Sequence, residues 1–145
     1  MKRSLLVVAA VCALLAISSS SFAASPGAYR AKLNGLCKVG VAKINAVPQP
    51  SSPKGYAAYF DAEARLGYQL LQQIVAVKPP ASLRPLVLNA LRPQGKVVDT
   101  LLALRNQITK GADPVKAYKA AIPTLKLTGQ ADTAWRRAGL NACAG

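Results

Sequence analysis

Histidine is missing from all 145 residues of this chain, methionine occurs only as Met1, and glutamate occurs only as Glu63. Four aspartates, Asp61, Asp99, Asp113 and Asp132, are the remaining acids. Each scarcity removes a class of chemistry. Structural and catalytic zinc sites draw on Cys and His. Di-iron carboxylate bundles need several glutamates and paired Glu-x-x-His motifs. Haem iron is usually held by His or Met, and covalent attachment needs C-x-x-C-H. Without His, neither a Ser-His-Asp triad nor a Cys-His pair can be assembled. Asp61 and Glu63 stand two residues apart, which on a helix turns them to different sides. The one S-x-x-K after residue 23, Ser51-Ser52-Pro53-Lys54, carries a proline at a helix start and reads as accidental. No Gly-rich phosphate loop occurs. The expectation is a non-catalytic protein with no metal and no cofactor.

The N-terminus is more explicit. Lys2 and Arg3 precede an uncharged apolar run of 13 residues, Leu5 to Ile17, and then four serines, Ser18 to Ser21. Ser21 and Ala23 place small residues at −3 and −1 of a cut before Ala24. That is the layout of a secretory signal peptide. The run is too short for a membrane span, which takes roughly 20 residues. Cys12 lies inside the run after Val11, where a lipoprotein site would need a small residue. The reading is a signal peptide at 1–23, then one domain at 24–145 with no transmembrane span. Export places it in the periplasm, cell envelope or extracellular space.

Proline and glycine divide the domain into helical blocks, and none shows the alternation of a strand. The first runs from about Gly27 to Ala46, with Ser25-Pro26 as cap and first-turn proline. Its stripe is Tyr29, Leu33, Leu36/Cys37, Gly40, Ile44 and Val47. The second follows V-P-Q-P-S-S-P-K-G, with Ser52 expected to cap and Pro53 at the first helical position. Its stripe includes Tyr56, Tyr59/Phe60, Glu63, Leu66/Gly67, Leu70/Leu71 and Ile74. Glu63 within that stripe reads as an edge acid beside Arg65 or another basic group, in preference to a buried acid. The third block, about Ser82 to Lys110, contains Pro93 and Gly95 but keeps one register, which favours a kink over a break. Gly111 suits a helix end, and Asp113-Pro114 starts the fourth block. Pro123 should kink that block, and Gly139 should stop it with Leu140 packing back over the last turn. The predicted fold is all-α, an antiparallel up-and-down four-helix bundle with kinked third and fourth helices. The alternative is a looser array of five or six shorter helices.

After the cut, Cys37 and Cys143 are the only cysteines. In an oxidising compartment an even count points to a disulfide. In an up-and-down bundle the end of the fourth helix lies near the start of the first. Cys37 sits about 15 Å along the first helix, and Gly139 to Cys143 covers about 13 Å when extended. A tail running back beside the first helix falls a few ångströms short, and a frayed helix start closes the difference. Free or intermolecular thiols and a redox role are the alternatives, the last lacking both C-x-x-C and an activating His.

Several of these features together resemble a known group. A cysteine midway in the first helix, a proline-rich link, K-P-P-A-x-L-R opening the third helix (Lys78 to Arg84), and a terminal G-L-x-x-C (Gly139, Leu140, Cys143) are similar to small exported four-helix proteins of high-GC Gram-positive bacteria. The resemblance covers most of the domain. It implies the helical fold and the Cys37–Cys143 pair, and it carries no established activity. The chain departs from the group in its basic charge and in Pro93 and Pro123, which put straight, regular helices in doubt.

Charge is the remaining signal. After residue 23, seventeen basic residues face five acids, a net charge of +12. On ideal helices Arg92, Lys96 and Lys110 share one side of the third, and Lys119, Lys126 and Arg137 one side of the fourth. These six are the candidate anion-binding residues, for anionic envelope polymers or lipid headgroups. The plain alternative is a surface charged for solubility. No nucleic-acid-reading motif is present, and export removes the chain from the chromosome, so no specific nucleic-acid partner is expected. A second functional reading is a carrier of a small apolar ligand, in an apolar cavity opened by the kinks at Pro93 and Pro123. A third, an enzyme, would need a cleft gathering Glu63, a lysine and a serine.

Overall fold

The structure, a computed structural model, describes residues 25–145; the expected signal peptide at 1–23 lies outside them. Among the described residues there are helices and no strand. Four rods form an antiparallel bundle. They are α1 (Pro26–Asn45), α2 (Tyr56–Ala76), α3 (Arg84–Thr109) and a fourth divided into α4 (Pro114–Leu125) and α5 (Leu127–Arg137). Single 3-10 turns, Pro53–Gly55 and Asn141–Cys143, precede α2 and follow α5. None of these helices is long and apolar enough to cross a membrane.

Local chemistry sets most of the boundaries. Ser25 Oγ accepts from Ala28 N at the start of α1, and Asp113 Oδ1 from Lys116 N at the start of α4. Each satisfies an amide that the first turn leaves without a partner. Ser52 departs from the expected pattern. Its side chain caps nothing, Pro53 opens a 3-10 turn, and α2 begins only at Tyr56. Helices α3 and α5 both end in glycine at positive φ, Gly111 at 96° and Gly139 at 74°. At the second, Gly139 N donates to Arg136 O and Leu140 N to Trp135 O. Leu140 and Trp135 then share the core, the contact that accompanies this type of stop.

The two internal prolines behave differently. Helix α3 passes through Pro93 without interruption. Proline costs the carbonyl of Asn89 its helical donor, but Asn89 is exposed and water can serve it. In the fourth rod α4 also passes its proline, Pro123, and the break falls three residues later, at Lys126. Thr128 Oγ1 donates to the carbonyl of Leu125 there, so one group freed by the break is satisfied at once.

Two clusters make the core. The larger joins Tyr29, Leu33 and Cys37 of α1, Ile74 of α2, Val87 and Ala90 of α3, Ala131 and Trp135 of α5, and the tail residues Leu140 and Cys143. The smaller centres on Phe60 of α2, Leu104 of α3 and Ala117 of α4. Thus α5 covers the first half of α3 and α4 the second. Helix α3 packs against α2, α4 and α5, while α1 packs against α2 and the last 3-10 turn.

Candidate functional site

Beside the smaller core cluster the helices do not close on one another. A cavity of about 570 Å³ opens there, within the range of small-molecule sites. Its walls come from the end of α1, the start of α2, the middle of α3, and the fourth rod on both sides of its break. Aromatic rings dominate one side. Phe60 stacks on Tyr118 with centroids 6.2 Å apart and planes 10° from parallel, and Tyr59 meets the Phe60 ring edge-on at 5.4 Å. Val97, Val98 and Leu101 of α3 form the facing aliphatic wall. Val115 and Tyr118 line the cavity and are also exposed, which places them at its mouth.

Both irregular positions of the sequence border this space. Gln94, next to Pro93, and Leu125 and Thr128, astride the break after Pro123, are wall residues. A smaller cavity of about 170 Å³ shares Ile44, Gly67, Gln94 and Thr128 with the first and leads toward Trp135 and Cys143. Gly67 is the shared residue at which α2 comes near α3 without a side chain. A Cβ there would stand 3.0 Å from Val98 Cγ2, so α2 and α3 approach closely only because the side chain is absent.

One acid belongs to the cavity. Glu63 Oε1 accepts from the Tyr59 hydroxyl at 2.5 Å, and Tyr59 accepts in turn from Gln49 Nε2 at 2.8 Å. Burial and the neighbouring Glu63 push the Tyr59 hydroxyl up to about 12. Its single proton is committed to the carboxylate, so Gln49 has to present its amino group. This corrects the expectation that a basic side chain neutralises Glu63. Arg65 pairs with Asp61 at 2.8 Å, and Arg105 Nε lies 3.4 Å from the same aspartate without hydrogen-bond alignment. Among the described residues no basic group lies within 4.0 Å of Glu63. The other polar residues of the wall are Gln49, Gln94, Thr128 and the tyrosines, with neither lysine nor serine beside Glu63.

Cys37 and Cys143 are joined, with Cα atoms 4.8 Å apart. Further bonds tie the tail to α1. Arg30 Nε donates to Ala138 O at 2.8 Å, Asn34 Nδ2 to Gly139 O at 3.2 Å, and Ala142 N to Asn34 Oδ1 at 3.0 Å. Arg30, Asn34 and Cys37 follow helical spacing, so one face of α1 grips the whole tail. The guanidinium also sits at the C-terminus of α5, where positive charge is favoured.

The six candidate anion-binding residues are all exposed. Arg92 and Lys96 lie on α3 and Lys110 caps it, so these three keep a common side. Lys119 lies on α4 and Lys126 at the break, while Arg137 ends α5. The phase relation of the last three assumed one continuous helix and does not carry across the break. Tyr56, Tyr59 and Phe60 read from sequence as part of a buried stripe, and their crowding in Y-A-A-Y-F is the available signal; Tyr118 joins them from α4. Gln49 carried no signal, because its partner lies across a loop.

Comparison with known proteins returns no match: no family model fits the chain, and neither a curated protein nor a solved structure is detectably similar to it.

Proposed function

We propose that this is an exported, non-catalytic protein that binds a small, largely apolar ligand in the aromatic cavity of its helical bundle. The observation that carries the reading is the cavity itself, about 570 Å³, walled by aromatic and aliphatic side chains with Gln49, Glu63, Gln94 and Thr128 as polar points. Solid bundles close such space, because an unfilled apolar void forfeits dispersion and transfer energy. The disulfide fits an oxidising location. The layout of cysteines and helix stops also supports membership of the exported four-helix group that the sequence resembles.

The test is titration with a neutral apolar fluorophore, N-phenyl-1-naphthylamine. Saturable one-to-one binding is expected, insensitive to salt and lost when Thr128→Phe fills the wall. Absence of saturable binding, or binding that Thr128→Phe leaves intact, overturns the reading.

A second reading has its own observation. Fifteen of the seventeen basic residues among the described residues have no carboxylate within 4.0 Å. Unneutralised charge of this kind suits a surface attracted to anionic envelope polymers or lipid headgroups. Retention on anionic liposomes should then fall with added salt, and fall further when Arg92, Lys96 and Lys110 are changed to Glu. Retention indifferent to salt counts against it.

A further inference from the structure

The exterior and the cavity carry opposite chemistry. Outside, unpaired cations prevail. Inside, the one ionisable group other than tyrosine is Glu63, the only glutamate of the chain. A carboxylate is an acceptor with about four lone-pair sites. The Tyr59 hydroxyl fills one of them, and among the described residues no lysine or arginine lies within 4.0 Å of the others. What this corner lacks is a donor. Aromatic faces stand around it, with Tyr59 and Phe60 in contact and Tyr118 stacked beyond. Such faces attract cations through their quadrupoles.

Asp61 makes the contrast plain. Two residues away it turns to the other side of α2 and takes both Arg65 and Arg105. In a chain with more than three basic residues for each acid, leaving Glu63 without one needs a geometric cause. The cause is the apolar wall: Val97, Val98 and Leu101 face it from α3. The chain Gln49 to Tyr59 to Glu63 fixes the carboxylate in place and orients its remaining lone pairs.

Resting on the binding role proposed for the cavity, we propose that its ligand is an amphiphile with a cationic amine head, the ammonium donating to Glu63 and the apolar body lying among the aromatic and aliphatic walls. A charge-assisted hydrogen bond is about twice as strong as a neutral one, so an amine is preferred to an alcohol of the same length. A carboxylate head would meet Glu63 with like charge. The selectivity of the cavity is thus opposite to that of the surface, which attracts anions.

Three probes of equal chain length separate the cases: dodecylamine, dodecanol and dodecanoate, the amine and the carboxylate below their micelle concentrations and the alcohol below its solubility limit. Titrations are run at about 0.5 M salt, where the Debye length is roughly 4 Å and surface attraction is screened. Calorimetry on the intact disulfide-bonded domain is expected to rank amine above alcohol above carboxylate, the first and last differing by about tenfold or more. Glu63→Gln should bring amine and alcohol within about threefold of each other. Asp61→Asn, which removes the same charge outside the cavity, should leave the amine preference in place. Should Glu63→Gln fail to fold, Glu63→Leu suits the apolar wall and reads the same ratio.

Dodecanoate binding as tightly as the amine overturns the head-group assignment while leaving the cavity reading intact. An equal loss of amine preference in Asp61→Asn and Glu63→Gln overturns it as well, since overall charge would then be the cause. If none of the three binds, the cavity reading itself fails, and the head-group assignment with it.

Discussion

At one end of the bundle α1, α5 and the tail are tied by a disulfide, three hydrogen bonds and a core holding Trp135, Tyr29 and Leu33. At the other end α4 buries only Ala117 and leaves Val115 and Tyr118 exposed beside an open cavity. The same helices, α2 and α3, run through both. The difference lies in what covers them: a covalently anchored tail in one place, a short helix after a break in the other. Tight packing and an open pocket exclude each other at one location, so this fold separates them along its axis. Stability resides at the anchored end, and local opening should be drawn from the other.

The largest way to break this contrast is to remove the anchor. Cys37→Ser with Cys143→Ser opens a loop of 106 residues, and the chain-entropy model puts the loss on the order of 4–5 kcal/mol. Urea unfolding of the two forms measures it. A loss below about 1 kcal/mol would deny the anchored end its special standing.

Next comes a matched pair of truncations. Trp135→Ala should cost about 3–5 kcal/mol, because the ring is 1% exposed in the larger cluster. Tyr118→Ala, with the ring 44% exposed at the cavity mouth, should cost about 1 kcal/mol or less. Equal costs would mean that both ends are built alike.

Asn34→Ala should cost about 1–3 kcal/mol, since it leaves Gly139 O and Ala142 N without their partner in a half-buried place. The effect should be larger in the variant lacking the disulfide, where the tail has fewer other ties. A double-mutant cycle reads that coupling.

The smallest expected effect is alkaline. The Tyr59 hydroxyl stands at about 12 in the fold against 10.0 when exposed, and burial moves Tyr29 in the same direction. The folded state therefore holds these protons more firmly than the unfolded one. The Tyr59 contribution is complete below pH 10 and is lost as pH rises toward 12, and Tyr29 acts in the same sense. Denaturant midpoints should fall across that window, and Tyr59→Phe should flatten the decline.

What the sequence disclosed follows physical range. Caps and stops act over three or four residues, so Ser25, Asp113 and the Gly139-Leu140 stop were legible, and the helical bundle followed from them. The disulfide was legible because two cysteines and the reach of a tail constrain each other. The break of the fourth rod was legible only roughly: Pro123 marks it, but the helix gives way at Lys126, where Thr128 can satisfy the freed carbonyl. For Glu63 the signal is the spacing. Tyr59 and Glu63, like Asp61 and Arg65, stand four apart on one helix face, whereas Arg65 and Glu63 do not. The prolines Pro93 and Pro123 point to a cavity, but its aromatic walls and its size lie beyond sequence reach, because periodicity gives the facing residues and not the distance between the faces.

The bond from Cys37 to Cys143 makes residues 37–143 a covalent ring closed through sulfur. All three interhelical connections lie inside that ring. A protease that cuts any one of them turns the ring into two chains joined by the disulfide, with neither able to diffuse away. Most of the backbone is in this sense circular, and a single nick in a loop cannot release a helix from its neighbours until a reductant follows.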